Sequence, residues 1–143
     1  MQEATLVKTI YLQATLETVW SYLTQPDRLA RWFHESDTAL DKVGKEYKLL
    51  RDNPSDKGPV ICWGEVLEVD KPNRLVHTFT HEWLKGAITT VVWELMPVDG
   101  GTQVTMTHSD LDAMHDGLFD LLSGHDKGWD EGFIRLRRVA ATY

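Results

Sequence analysis

The six histidines are the side chains with the most chemistry to offer, and their spacing argues against a metal site. His77 and His81 fall on one face of a predicted strand, but they lie about 13 Å apart along an extended chain. Metal–nitrogen bonds are about 2 Å long, so this pair cannot chelate one ion from a single strand. Residues 81–85 lack the second histidine of the zinc-protease helix motif, and residues 110–115 have methionine and histidine where a calcium loop needs an acid and a glycine. We therefore expect no metal.

Covalent catalysis and nucleotide cofactors are not indicated either. Cys62 is the single cysteine and stands inside a predicted strand, which is typical of a small buried hydrophobe rather than a reactive thiol. Ser109 and Ser123 have no glycine elbow around them. Residues 100–101 are glycines that turn a hairpin and precede no helix, so they do not form a phosphate-cradling loop. We expect no cofactor.

His81 and His108 each belong to a predicted strand, on the face that also carries its apolar side chains. If these strands are neighbours, the two rings approach each other in an apolar setting, which lowers their pKa values and favours neutral imidazoles. One hypothesis is that they orient a ligand, or act as general acid and base on a bound carbonyl compound. The alternative is that they are hydrogen-bonded core histidines or, for His81, a strand-end residue that reaches water.

The elements that must position these residues follow from the hydrophobic periodicity. Thr15 offers an N-cap to a first helix, and Pro26 opens a second short one, because a proline is tolerated in a first helical turn. Alternating or continuous apolar runs predict strands, and apolar residues at steps of three and four predict a closing helix. The predicted strands are 6–12, 47–50, 60–69, 75–83, 87–96 and 103–108, and the closing helix is 126–142.

Glycines and a connector mark the places where this pattern is interrupted. Gly64 lies inside a predicted strand, where we expect a bulge or a sharp bend. Gly128 and Gly132 lie one turn apart in the closing helix, and each destabilises a helix relative to alanine. One interpretation is that they leave room beneath the helix. The other is that Gly128 only lies at a frayed helix end and Gly132 only allows close packing. Residues 118–122 of the acidic connector 110–124 are apolar enough to form either a lid or a short helix that caps the core.

Six tryptophans are the unusual feature of the composition. They supply rigid aromatic area that suits a packed core as well as a pocket wall. Apolar walls with a few aimed polar groups are typical of ligand pockets. The assignment of Trp63 to the cavity face depends on the alternation of side chains near Gly64. An irregularity there would place Trp63 on the other face of the sheet. The candidate ligand-binding residues are Trp32, Phe33, Trp63, Phe79, His81, Trp93, Met106, His108, Phe119, Trp129 and Phe133.

Length and charge bound the class of protein. A chain of 143 residues without repeats or linkers predicts a single domain, residues 1–143. The net charge of −7 (15 basic minus 22 acidic residues) repels phosphate backbones, so we expect no nucleic-acid partner. The sequence contains no run of 18 apolar residues, so we expect no membrane span. A start without a secretory signal and a single cysteine favour a cytoplasmic location.

Several segments, in this order along the chain, resemble the AHSA1-like (activator of Hsp90 ATPase homologue) family of the START/Bet v 1-like (SRPBCC) superfamily. The match extends from about residue 7 to residue 140. The segments that carry it are residues 14–20 (Ala-Thr-Leu-Glu-Thr-Val-Trp), 23–27, 31–33, 64–72 (Gly-Glu-Val-Leu-Glu-Val-Asp-Lys-Pro), 74–76, 94–102, 105–108 and 128–129.

The resemblance implies an α+β helix-grip fold, in which a curved antiparallel sheet wraps around a long C-terminal helix, with two short helices after the first strand. It also implies a cavity for a small hydrophobic, lipid-like molecule. Our main hypothesis is binding of such a molecule, with an aromatic ring or a carbonyl group, and with His81 or His108 fixing its orientation. The alternatives are a cofactor-independent cyclase or hydrolase acting on a polyketide-like substrate, and a protein-interaction domain. An Hsp90-type partner is not expected, and a homodimer remains open.

Overall fold

The chain folds into a curved antiparallel sheet that wraps around a long C-terminal helix. A computed structural model describes residues 4–55, 58–84, 86–111 and 117–141, with their side chains except at 53–55 and 83. Within these ranges there are six strands in the order β1-β6-β5-β4-β3-β2 and three α-helices. This confirms the helix-grip α+β fold. The elements are β1 (Leu6–Leu12), α1 (Leu16–Thr24), α2 (Pro26–Leu29), β2 (Glu46–Ser55), β3 (Gly58–Asp70), β4 (Arg74–His81), β5 (Thr89–Val98), β6 (Gly101–Ser109) and α3 (Leu118–Ala140).

Local sequence signals determine the two short helices. The Thr15 side chain accepts a hydrogen bond from the Thr18 backbone N–H and so caps α1 as predicted. Pro26 occupies the first turn of α2, where its missing N–H has no intrahelical partner. The indole of Trp32, just after α2, is buried and donates to the Tyr22 carbonyl at 2.8 Å. This bond ties the segment after α2 to α1.

The second strand is longer than the periodicity predicts. We expected residues 47–50, whereas β2 continues to Ser55, which pairs with Gly58 of β3. Residues 56–57 lie outside the described residues. An edge strand needs only backbone hydrogen bonds to one neighbour, so β2 continues through residues without alternating hydrophobicity.

The closing helix begins eight residues earlier than predicted, at Leu118 instead of residue 126. Residues 118–122 are therefore its first turns and not a separate lid, while residues 112–116 of the predicted connector lie outside the described residues. Gly124 lies inside the helix, where one glycine costs only about 1 kcal/mol relative to alanine. At 23 residues, α3 is about 35 Å long. Lys8 of β1 holds its first half through Asp126 and Asp130.

Gly64 allows close backbone approach, and the predicted bulge lies elsewhere. The register shift between β3 and β4 falls between Val66 and Glu68. A Cβ atom at Gly64 would lie 2.1 Å from the Thr78 carbonyl oxygen and 2.8 Å from the Tyr47 hydroxyl. The absence of a side chain therefore lets β4 and the Tyr47 ring lie against the β3 backbone.

Candidate functional site

A cavity of about 440 Å³ lies between the first half of α3, strands β3 and β4, and the segment that follows α2. This volume is within the range of about 300–1,000 Å³ that ligand pockets usually have. Several of its residues on α3 are exposed, so the cavity opens to solvent along that helix. Its walls are formed by Phe33, His34, Ile61, Cys62, Phe79, His81, Asp120, Leu121, Gly124, His125, Gly128, Trp129, Glu131 and Arg135.

Near-parallel aromatic rings form the deep wall of the cavity. The Phe33 ring stacks on the Trp129 ring with centroids 5.4 Å apart and an interplanar angle of 24°. It also stacks on Phe79, at 6.2 Å and 30°. Behind them, Trp32 and Phe133 continue the stack, at 5.2 Å from Phe33 and 5.7 Å from Trp129 respectively. This part of the cavity is thus lined by aromatic rings that pack on one another and on the core.

Two glycines of α3 leave space along the part of the cavity that this helix forms. Gly124 and Gly128 line the cavity, and a Cβ atom at either position would meet no atom within 4 Å. Gly132 differs, because its Cβ would contact the Trp32 ring at 3.6 Å. Of our two interpretations, room beneath the helix applies at Gly128 and close packing applies at Gly132.

A histidine pair forms the polar part of the cavity. The Nε2 atoms of His81 on β4 and His125 on α3 are 2.9 Å apart, and the rings stack at 5.1 Å and 25°. His125 Nδ1 lies 2.7 Å from the Leu121 carbonyl, which can only accept. Burial, helped by the charge of His125, lowers the pKa of His81 to about 4. The His81 ring is therefore neutral near pH 7.

Sequence reasoning missed His125 because it placed the helix start at residue 126. The signal was present, since Leu121, His125 and Gly128 recur at steps of four and three, the period of one helix face. His34 was also missed. It follows the predicted Phe33, lines the cavity, and has its pKa lowered by burial.

His108 lies behind the cavity wall and is not adjacent to His81. Strand β5 separates their strands, contrary to the arrangement that our ligand hypothesis considered. The Trp129 indole donates to His108 Nδ1 at 3.1 Å, and His108 Nε2 lies 2.8 Å from the Thr89 hydroxyl. An indole N–H can only donate, so Nδ1 carries no proton and Nε2–H donates to Thr89. His108 thus positions Trp129, as a hydrogen-bonded core histidine does.

His77 supports a second indole in the same way. Trp93 donates to His77 Nε2 at 3.0 Å, and His77 Nδ1 faces the Tyr47 hydroxyl at 2.9 Å and the Thr78 carbonyl at 3.0 Å. Burial lowers the pKa of His77 to about 4 and, with a contribution from neighbouring histidines, that of His108 to about 3. Both rings are neutral acceptors that satisfy buried indole N–H groups.

These two histidines should make the protein sensitive to mild acid. Unfolded histidine takes up a proton below about pH 6.5, whereas folded His77 and His108 stay neutral until about pH 4 and 3, so stability is lost as the pH falls through this window. We expect His77 and His108 together to lower the free energy of unfolding in urea by about 3 kcal/mol between pH 7.5 and 5.5, about 1.4 kcal/mol for each histidine, and His81 to add to this loss. In a His108→Gln variant the drop should be smaller than in the wild-type protein by about 1.4 kcal/mol. An unfolding free energy that stays constant over this pH range would contradict the assignment.

The remaining predicted site residues fall into two groups. Trp32, Trp93, Met106 and Phe133 are buried in the core, behind the rings that line the cavity. Trp63 and Phe119 point away from it, with 40% and 79% of their surface exposed. Trp63 faces the opposite side of the sheet because its neighbour Cys62 faces the cavity. Phe119 lies on the outer side of α3. The predicted cavity contacts at these two positions are therefore wrong.

The chemistry available in the cavity is hydrogen bonding and proton transfer. Burial raises the pKa of the Cys62 thiol to about 12, so it is not a nucleophile near neutral pH. Among the described residues, no three His, Cys, Asp or Glu side chains are arranged to hold a metal ion. The described helices include none that is both long and apolar enough to cross a membrane.

Comparison with known proteins agrees with this architecture. The family model for activator of Hsp90 ATPase homolog 1-like proteins matches residues 13–141. No curated protein gives a significant match in sequence. Protein MLL2253 from Mesorhizobium loti is 25% identical, with a TM-score of 0.77 over 94% of both chains.

Two further solved structures share the fold at lower identity. PFC0360w from Plasmodium falciparum, described as an HSP90 activator, is 22% identical, with a TM-score of 0.72 over 92% of this chain and 91% of that one. The Aha1 dimer from Colwellia psychrerythraea is 20% identical, with a TM-score of 0.74 over 96% of both chains. With the helix-grip fold and a family match over nearly the whole length, the chain belongs to the activator of Hsp90 ATPase homolog 1-like family.

Proposed function

We propose that this protein binds a small, largely apolar molecule, with an aromatic ring or a carbonyl group, in the cavity beneath α3. The observation that carries the proposal is the cavity of about 440 Å³, which is lined by stacked aromatic rings and by Gly124 and Gly128. A helix that needed only to cover a core would fill these positions, because alanine is favoured over glycine by about 1 kcal/mol. His81 and His125 supply the few polar atoms that orient a ligand. The buried thiol of Cys62 fits a reducing, cytosolic setting.

An enzyme acting on a polyketide-like substrate is the second candidate, and the His81–His125 pair is the observation that favours it. Two imidazoles 2.9 Å apart in one cavity can pass a proton between them. The Cys62 thiol beside them is not activated as a nucleophile, so the chemistry of this candidate is proton transfer. Turnover of a bound ligand that His125→Phe abolishes would support this candidate, whereas binding of an unchanged ligand supports the first.

Thermal unfolding tests the binding proposal. A ligand that binds only the folded state at about 100 times its Kd adds about 2.7 kcal/mol of stability, which should raise Tm by about 5–10 °C. The probe we suggest is N-phenyl-1-naphthylamine, an apolar dye whose fluorescence rises on burial, followed by a screen of flavonoid-like, sterol-like and fatty-acid-like compounds. Failure of the dye and of every compound class to bind would refute the proposal.

A further inference from the structure

His81 and His125 present a donor and an acceptor side by side in the cavity. The Leu121 carbonyl accepts from His125 Nδ1–H, so a neutral His125 has a bare Nε2. The proton between the two Nε2 atoms then belongs to His81, whose Nε2–H donates to His125 Nε2. The cavity therefore contains one N–H donor and one bare nitrogen acceptor only 2.9 Å apart.

We propose that the ligand is a flat aromatic molecule carrying a hydroxyl group, and that this hydroxyl inserts between the two Nε2 atoms. This inference rests on the proposed function, since it concerns the same cavity. A hydroxyl accepts from His81 Nε2–H and donates to His125 Nε2 at the same time, whereas a carbonyl or an ether can only accept. One histidine–histidine hydrogen bond is exchanged for two bonds to the ligand.

The exchange requires His125 to move, and its surroundings permit that. Two hydrogen bonds of about 2.8 Å to one oxygen separate the nitrogens by about 4.5 Å, against 2.9 Å in the structure. His125 is half-buried, and its neighbour Gly124 on α3 is exposed to solvent. His108 differs from His125 because it is fully buried, together with its hydrogen-bond partners Trp129 and Thr89.

The aromatic requirement comes from the walls. The rings of Phe33, Phe79 and Trp129 lie within about 45° of one another and face the cavity. A flat ring laid on them continues the stack, while a saturated ring of the same outline loses the stacking. The space along Gly124 and Gly128 leaves room for the ligand.

The charged groups around the His81–His125 pair favour a ligand with a neutral hydroxyl group over an anionic ligand. Arg135 donates through Nε to the Trp32 carbonyl, and Arg51 is paired with Glu82 at 3.0 Å. The exposed rim is acidic, which disfavours an anionic ligand. The titratable or charged groups facing the pair or lining its cavity are His34, Cys62, Glu82, His108, Asp120, Glu131 and Arg135.

Displacement of N-phenyl-1-naphthylamine at pH 8, where the probes are neutral, tests the inference. The probes are 2-naphthol, the similarly sized 2-fluoronaphthalene, which cannot donate, and decahydronaphthalen-2-ol, which keeps the hydroxyl but is not aromatic. We expect 2-naphthol to bind at least tenfold more tightly than either of the others. Since 2-fluoronaphthalene is the more apolar molecule, simple partitioning into the cavity would give the opposite order.

The variant His125→Phe keeps a ring in place but removes the acceptor. It should reduce the preference for 2-naphthol over 2-fluoronaphthalene to less than threefold, while Ser123→Phe, on the exposed side of α3, should retain it. Two results would overturn the inference: a preference below threefold in the wild-type protein, or an undiminished preference in His125→Phe. If the naphthalenes bind equally well, cavity binding stands and only the hydroxyl inference fails. If none of the three probes displaces the bound dye, the hydroxyl inference fails, while binding of the dye still supports the cavity as a binding site.

Discussion

Replacing Gly128 with leucine is expected to abolish binding of N-phenyl-1-naphthylamine, with at least a 50-fold increase in Kd. Gly128 lines the cavity, so the new side chain would fill part of the cavity volume. A Cβ atom there meets nothing within 4 Å, so the helix does not have to move to admit it. The leucine therefore takes the volume that the ligand would occupy. Fluorescence titration of the dye measures the effect.

The same substitution should not destabilise the protein, which separates blocked binding from misfolding. Leucine is a better helix former than glycine by about 0.8 kcal/mol, and the open space at Gly128 admits its side chain without a clash. We expect an unfolding free energy equal to or above that of the wild-type protein. Ser123→Leu, which adds a leucine on the exposed side of the same helix, is the matched control and should bind the dye normally. Wild-type affinity in Gly128→Leu would show that the dye binds elsewhere.

Replacing Gly64 with alanine is expected to cost about 3 kcal/mol or more of stability. The added methyl group would lie 2.1 Å from the Thr78 carbonyl oxygen, and a backbone atom of a neighbouring strand cannot move aside without separating β3 from β4. The Tyr47 hydroxyl, which donates to that carbonyl at 2.6 Å and contacts His77, would also be displaced. Urea unfolding at pH 7.5 measures the loss.

Gly124→Ala is the matched control for this experiment, because it is the same chemical change at a glycine with open space around it. We expect it to raise the unfolding free energy by up to about 1 kcal/mol. Opposite signs for the two variants would show that Gly64 is required for packing and Gly124 is not. If the unfolding free energy of Gly64→Ala remained within 1 kcal/mol of the wild-type value, this would contradict the close contact between β3 and β4 at Gly64.

These predictions distinguish two physical reasons for the presence of a glycine. Gly64 and Gly132 lie against Thr78 and Trp32, so they belong to the packing of the fold. Gly124 and Gly128 have space beside them and weaken α3 without any packing gain. A ligand site would explain why α3 keeps glycines that lower its stability and do not improve its packing.

Much of the fold could be predicted from the sequence because its signals are local. The Thr15 cap, Pro26 at the start of α2, and the alternation that places Val104, Met106 and His108 on one face of β6 each depend on a few adjacent residues. The order of elements, supported by family resemblance, was enough to predict the helix-grip architecture. The aromatic wall at Phe33, Phe79 and Trp129 was also among the predicted residues.

The composition of the cavity depended on contacts between residues far apart in the chain. His81 and His125 are 44 positions apart and meet only because α3 starts at Leu118 and turns His125 toward β4. His108 faces Trp129, and Trp63 faces away, because strand order and the β3 register determine which side chains share a face. The sequence alone determined the scaffold, since capping and periodicity act within a few residues. Only the tertiary structure decided the empty volume, because it depends on how far a helix stands from a sheet.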